Sequence, residues 1–307
     1  MKPQDDLPSP HAPSILLAGA ANVLLGLSSL YWRELDGIQT FTIVAYRILL
    51  SAAILTLLIP LLKLHHRLST VTLKIIGLHC AASLLIALNW GTFIWSSVNG
   101  SILESGIGYL LAPFIAIVLG ARIYREGINT RKIISISIAL GLVALLILST
   151  HHLNHWTYLL ISATWGLYTL IKKITPLDVV SGLFIEMFFL ATLFSLLFLL
   201  YDTPVIPVEE AAPHSNALIW LAGGVSTAPL LMFSYATKKL SLSQTGFLQF
   251  ILPLTLTTIA LLQQHGGSPQ ASFSLPLITI GILITLTAYD IIFPLPSKKG
   301  KTDEHYL

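Results

Sequence analysis

Charge is scarce in this chain. Of its 307 residues only 10% are Asp, Glu, Lys or Arg, while 54% are hydrophobic and the mean hydropathy is +0.80. A soluble domain carries about 25% charged residues, so this composition excludes one and calls for a bilayer as solvent. Cysteine is nearly missing as well. The lone Cys80 rules out an intrachain disulfide and, lying in an apolar run, reads as small core filler. No H-E-x-x-H, no G-x-S-x-G and no pair of intramembrane aspartates occurs, which argues against an intramembrane enzyme; no G-x-x-x-x-G-K-[ST] occurs, which argues against a P-loop ATPase. No cofactor is expected.

What the chain does have is long apolar runs separated by charges, Pro, Gly or Asn. Ten spans are expected: 15–32, 40–62, 72–97, 102–121, 131–149, 156–171, 178–200, 216–236, 243–263 and 273–293. The sixth is short for a core of about 30 Å and the third is long enough to tilt. The fold class is therefore an all-α membrane protein. Residues 1–14, polar and Pro-rich, lack the basic start and cleavage site of a signal peptide and form an N-terminal tail; 294–307 form a basic C-terminal tail.

The 17 Lys and Arg residues orient these spans. With the N-terminus inside, Lys2, Lys63, Arg67, Lys74, Arg122, Arg125, Arg131, Lys132, Lys172, Lys173, Lys238, Lys239, Lys298, Lys299 and Lys301 all fall on the cytoplasmic side. Arg33 alone faces out, and Arg47 lies within a span. Both termini are expected in the cytoplasm, and the net charge of +3 follows from topology rather than from a nucleic-acid footprint. Outer loops carry His151, His152, His155, Asp202, Glu209 and Glu210, whose spacing matches no metal site. Trp32, Trp156 and Trp220 fall at outer boundaries and suit interfacial anchoring, whereas Trp90, Trp95 and Trp165 lie deeper, as path lining or as packing.

The passage 89–121 recurs at 229–261, 140 positions on: Ser101, Glu104, Gly106 and Pro113 correspond to Ser241, Gln244, Gly246 and Pro253, and Phe93 to Phe233. Upstream, Gly26, Leu27 and Leu30 fall on Gly166, Leu167 and Leu170. The duplication so read divides the chain into five-helix repeats at 15–149 and 156–293. Five spans is an odd number, so the second repeat enters the bilayer from the opposite side. Inverted repeats of this kind underlie alternating access around a midplane site.

Within the repeats, S-x-x-E at Ser101 to Glu104 and S-x-x-Q at Ser241 to Gln244 match capping boxes, which explains these side chains without a ligand; a cation site at Glu104 is the alternative. Pro113 and Pro253 release the carbonyls of Tyr109 and Gln249, and Gly106 and Gly246 permit close helix approach, so these four residues form kinks that either pack or gate. Two ionisable residues lie deep inside spans, Arg47 about 10 Å below the outer face and Glu186 about 12 Å above the inner one. Three roles stay open for them: structural pairs or clusters, an anionic-substrate anchor at Arg47, and a proton-coupling carboxylate at Glu186. Asn89 and Gln249 add neutral hydrogen-bonding groups, and Tyr109, Trp90 and Phe250 add aromatic surface, a lining suited to a small amphiphile. His79 and Asp290 sit near cytoplasmic span ends, where snorkelling explains them.

The stretches YRILLS (46–51), NWGTFIWSSVNGSILESGIGYLLAPFIAIVLG (89–120), FIEM (184–187) and STAPLLMFSYATKKLSLSQTGFLQFILPLT (226–255) resemble the RarD branch of the EamA-type transporters, within the drug/metabolite transporter superfamily. The resemblance rests on Asn89, Trp90, Asn99, Glu104, Gly108, Pro113 and Glu126, and on Pro229, Gly246, Gln249 and Pro253. It implies a ten-helix inner-membrane secondary transporter of small metabolites or drugs, usually exporting, with proton coupling open. In that branch the arginine matching Arg47 commonly follows a His; here Tyr46 stands there, so any proton transfer by that His does not carry over to this chain. A receptor or assembly subunit that binds without transporting is the competing class, and oligomeric state is left open.

Overall fold

In the computed structural model, residues 12–69, 71–99, 102–125, 130–149, 153–201 and 217–263 are described, and their regular structure is helical throughout, with no strand among them. The helices are α1 (Ala12–Arg33), α2 (Thr40–Leu61), the short α3 (His65–Leu68), α4 (Leu73–Val98), α5 (Ile102–Ile123), α6 (Thr130–Ser149), α7 (His155–Ile174), α8 (Val179–Tyr201), α9 (Ala222–Lys239), α10 (Leu242–Gln249) and α11 (Ile251–Gln263). Six stretches are long and apolar enough to cross a membrane: α1, α2, α4, residues Leu103–Ile123 of α5, Val179–Leu200 of α8, and Ile219–Lys239, which is α9 with the 3₁₀ turn before it. Nine of the expected spans thus coincide with helical sequence. The tenth, 273–293, lies outside the described residues, as do residues 1–11, the C-terminal tail, Ser101, Glu126, His151, His152, Asp202, Glu209, Glu210 and Asp290; of the expected N-terminal tail, residues 12–14 already belong to α1.

α1 buries small and polar residues where a soluble helix buries large apolar ones. On α1 the inward face is Ser14, Ala18, Ala21, Asn22, Leu25, Ser28, Ser29 and Trp32, recurring every three to four residues, while Leu16, Leu24, Leu27 and Leu30 point out. Lipid tails are as apolar as leucine, so no hydrophobic force drives helix against helix; small residues that allow close contact and polar ones that hydrogen-bond take the inner face instead. Buried hydroxyls answer the missing water by bonding back to their own helix, as Ser29 does to the Gly26 carbonyl at 2.8 Å and Thr237 to that of Phe233 at 2.9 Å.

Local signals mark the helix ends. Gly37 takes a φ of 91° in the turn from α1 to α2, a left-handed conformation that costs glycine little. Thr72 caps α4 through Ile75 N–H at 3.4 Å, and Ser241 with Gln244 closes a full capping box on α10: Gln244 N–H donates to Ser241 Oγ at 3.1 Å and Ser241 N–H to Gln244 Oε1 at 3.0 Å. Glu104, whose expected box partner Ser101 lies outside the described residues, accepts the Asn154 N–H at 3.4 Å.

The two proline-bearing passages differ in shape. α5 runs unbroken through Pro113, whereas its counterpart breaks at Phe250 into α10 and α11, with Pro253 in the first turn of α11. Proline is well placed there because the first-turn N–H has no partner to lose.

Packing is reciprocal. α4 lies on α7 and α1 on α9; α5 lies on α7 and α1 on α10 and α11; α2 faces α8, and α5 faces α10 and α11. α6 sits outside against α5. Two glycines 140 positions apart mark equivalent close approaches. A Cβ on Gly26 would lie 2.6 Å from Thr255 Cβ and 3.3 Å from the Leu252 carbonyl; one on Gly166 would lie 2.7 Å from Ile115 Cγ2 and 3.4 Å from the Ala112 carbonyl. Gly246 likewise seats α10 so close to α5 that an added Cβ would lie 3.1 Å from the Pro113 carbonyl. A Cβ on Gly106, expected to do the same, would meet no atom of the described residues within 4 Å, and the close contact on α5 falls two residues on, at Gly108 against Ile161 and the Tyr158 carbonyl.

Candidate functional site

Two buried clusters occupy the middle of the bundle. The first is built around Arg47, 2% exposed on α2. Its guanidinium carbon sits 3.7 Å from the ring centre of Trp90 and 4.8 Å from that of Trp32. Stacking of this kind on a desolvated cation stabilises by about 2 kcal/mol or more per ring. It holds the planar group but supplies no hydrogen bond, and Nε and Nη1 remain without an acceptor. Trp32, expected at the membrane boundary, is instead fully buried, its indole N–H donating to Ser28 Oγ at 3.2 Å; Trp156 and Trp220 are exposed as anchors would be.

Arg47 borders a cavity of about 270 Å³ of atom-free space, lined also by Leu25, Ser28, Asn89, Trp90, Phe93, Tyr109, Trp165 and Leu252. In this conformation there is room for little more than one water. Asn89, on α4, is the hub of its polar wall. Its amide donates to the Ile161 carbonyl at 3.2 Å and to Thr164 Oγ1 at 3.1 Å, and its oxygen accepts the Tyr109 hydroxyl at 2.9 Å. Trp90 also borders a second, largely apolar space of about 160 Å³ lined by Ser51, Leu55, Leu183, Met187, Thr227 and Leu230. Four of the residues expected to share a site, Arg47, Asn89, Trp90 and Tyr109, are thereby brought together. Gln249 is not among the lining: its amide donates to Thr169 Oγ1 at 2.7 Å, and Phe250 packs on Phe114 with ring centres 5.4 Å apart.

Glu186 centres the second cluster and is fully buried on α8. Its Oε1 meets Lys172 Nζ at 2.8 Å and His79 Nδ1 at 2.7 Å, and its Oε2 accepts the Tyr168 hydroxyl at 3.2 Å. Glu186 and Arg47 thus belong to separate clusters. His79 does not snorkel; its ring lies against Gly182, where a Cβ would come within 2.6 Å of Cε1, and Nε2 has no partner. Lys172, counted from sequence as a loop residue, is buried because α7 continues beyond residue 171 to Ile174. Nothing in the linear sequence links positions 79, 172 and 186; only the packing of α4 and α7 on α8's surroundings brings them into contact. Cys80 beside His79 is half-buried rather than core filler.

Aromatic rings join the clusters. Tyr109 packs edge-on to Trp165 at 6.0 Å, and Trp165 stacks on Tyr168 at 5.8 Å, so a line of three rings leads from the cavity to the Glu186 carboxylate. At the end of the bundle beyond Glu186, α7 and α9 cap each other. Lys173 Nζ donates to the carbonyls of Leu240 at 2.5 Å and Thr237 at 3.3 Å, and Lys238 Nζ to that of Thr175 at 3.0 Å and to that of Leu177. Each lysine thus satisfies carbonyls that the other helix's end leaves open.

No family model matches the sequence. The chain is 31% identical to an uncharacterized transporter of Pseudomonas aeruginosa over 83% of its own length and 87% of that protein's, and 30% identical to the uncharacterized transporter YojE of Bacillus subtilis over 82% and 85%. Protein RarD of Escherichia coli matches at 26% over 91% and 95%. The chain belongs to the RarD-type transporters. With its long apolar helices, it is a multi-pass membrane protein of that family. A solved crystal structure shares the fold of this RarD-type chain at a TM-score of 0.66 and 14% identity, covering 94% of this chain and 99% of that one.

Proposed function

We propose that this RarD-type protein is a secondary transporter of ten helices in two inverted repeats, which moves a small metabolite or drug, most naturally outward, by alternating access around the Arg47 cavity. It resides in the cell inner membrane with both termini cytoplasmic, and Gly106, Pro113, Gly246 and Pro253 serve as its hinge positions. The reading is carried by one observation: the contacts between the halves return to themselves when 140 is added to the first-half position and subtracted from the second-half one. Gly26 against Thr255 and Leu252 becomes Gly166 against Ile115 and Ala112, with the roles of the halves exchanged. Two interchangeable sets of contacts provide two related conformations of one chain, as alternating access requires.

Proton coupling falls to the Glu186 cluster, where a buried carboxylate meets an imidazole and is joined to the cavity by Tyr109, Trp165 and Tyr168. The test is uptake of a pooled labelled metabolite and amphenicol set into proteoliposomes, with and without an imposed pH gradient, for wild type and His79→Gln. Gradient-dependent accumulation that His79→Gln uncouples is expected. Correctly folded protein that binds a solute but moves none would leave a receptor or assembly subunit as the function.

A further inference from the structure

We infer that the ligand of the Arg47 cavity is an organic monoanion, a carboxylate or sulfonate on an apolar body. The inference deepens the transporter reading by naming a substrate class, yet as a statement about binding it stands or falls separately.

Hydrogen-bond accounting carries the step. The wall's acceptors are already engaged: Ser28, Asn89 and Tyr109 each spend their hydrogen-bonding groups on the protein. Ser28 donates to the Leu25 carbonyl at 2.6 Å and accepts from Trp32; Asn89 uses its amide twice and its oxygen once; Tyr109 spends its proton on Asn89. Among the described lining residues, Arg47 alone retains buried polar atoms without a partner, and both are donors. The cavity therefore lacks an acceptor and nothing else. A buried cation without a counter-charge costs several kcal/mol, and the buried carboxylate Glu186 is already paired with Lys172 and His79, in the other cluster. The missing negative charge has to come from outside the described chain, and the cavity is where it would enter.

Shape and charge narrow the class. The guanidinium plane is fixed by Trp90 and Trp32, so its N–H groups point in set directions; Nε and Nη1 lie on different edges, and each edge, completed by Nη2, matches a planar carboxylate with two parallel bonds. One arginine with no second cation in the lining balances one negative charge, not two. Phe93, Trp165, Leu25 and Leu252 supply apolar and aromatic surface for the remainder of the molecule. The contracted cavity opens to admit it.

The experiment is equilibrium binding to purified protein in nanodiscs, read by tryptophan fluorescence and by thermal shift, with benzoate and benzenesulfonate against the neutral benzamide and benzenesulfonamide, and with phenylphosphate as a dianion. Charge-assisted hydrogen bonds give an expected preference of about tenfold or more for each monoanion over its neutral counterpart, and none for the dianion over benzoate. Arg47→Gln erases the preference; Arg47→Lys keeps it at weaker affinity, which separates loss of charge from loss of fold. Equal binding of acid and amide, absence of binding by all probes, tighter binding of phenylphosphate, or a preference that survives Arg47→Gln overturns the inference. Flux of benzenesulfonate, which stays ionised and does not leak through lipid, keeps the two claims apart. An anion bound but not carried upholds the ligand class and removes transport, while neutral solutes carried with no anion preference do the reverse.

Discussion

Glu186 shows how far one side chain's meaning depends on neighbours the sequence does not order. Taken alone, an intramembrane carboxylate invites neutralisation by a Glu186→Gln change that leaves the fold untouched. Yet Glu186 accepts from Lys172, His79 and Tyr168, and removing its charge leaves a buried ammonium with no counter-ion. Breaking one partner of such a pair costs about 3–5 kcal/mol. Glu186→Gln should therefore lower the melting temperature in detergent, and Glu186→Gln with Lys172→Met should recover most of the loss; a single variant as stable as wild type would show that the pair contributes nothing to stability. Arg47 was legible as a functional candidate because charge inside a span is rare. Its cage was half legible: Trp90 was a named neighbour, but Trp32 was assigned to the interface, because position near a span end says nothing of which way a ring points. Lys172 was illegible for a similar reason. The sixth span had seemed to stop at the first lysine, where hydropathy falls, and hydropathy cannot foresee that a carboxylate on α8 will carry the lysine inward.

At the scale of elements, spans of 20 or more apolar residues set helix existence with little ambiguity, and α1, α2, α4, α5 and α8 fall within a few residues of the expected bounds. The break at Phe250 is different. Pro113 and Pro253 stand at equivalent places, yet one helix continues and the other divides, so a proline's position does not by itself decide between a bend and a break. Close helix contacts are likewise written only in part. Gly166→Ala and Gly26→Ala should each destabilise by about 1–3 kcal/mol, since the added methyl meets a neighbouring side chain at under 3 Å with a carbonyl just behind it. Gly141→Ala, with open space around it, should instead stabilise by up to about 1 kcal/mol through helix propensity. Thermal melts of the three variants check the ordering, and a Gly26→Ala protein as stable as Gly141→Ala would contradict the contact.

For the whole molecule, the 140-residue repeat visible in the sequence and the exchange of contacts in the fold make one joint demand on topology. Asp36 and Pro176 are exposed turn residues 140 positions apart. In a Cys80→Ser background, Asp36→Cys and Pro176→Cys should react with a membrane-impermeant maleimide from opposite faces of oriented vesicles. Labelling from the same face would sink the inverted arrangement, whatever the substrate proves to be.

The interlocking of α1 with α9, α10 and α11 also bears on how the chain is made. Gly26 leaves the ribosome roughly 230 residues before Thr255, an interval of about 10–50 s at common synthesis rates. Through that interval the polar inner face of α1, with Asn22, Ser28 and Ser29, has none of its final partners from α9 to α11. α1 is thus in the lipid long before α9 to α11 can pack on it, and it bridges the delay by bonds within itself: Asn22, Ser28 and Ser29 donate to the carbonyls of Ala18, Leu25 and Gly26, so the face that waits for its partners is already largely satisfied.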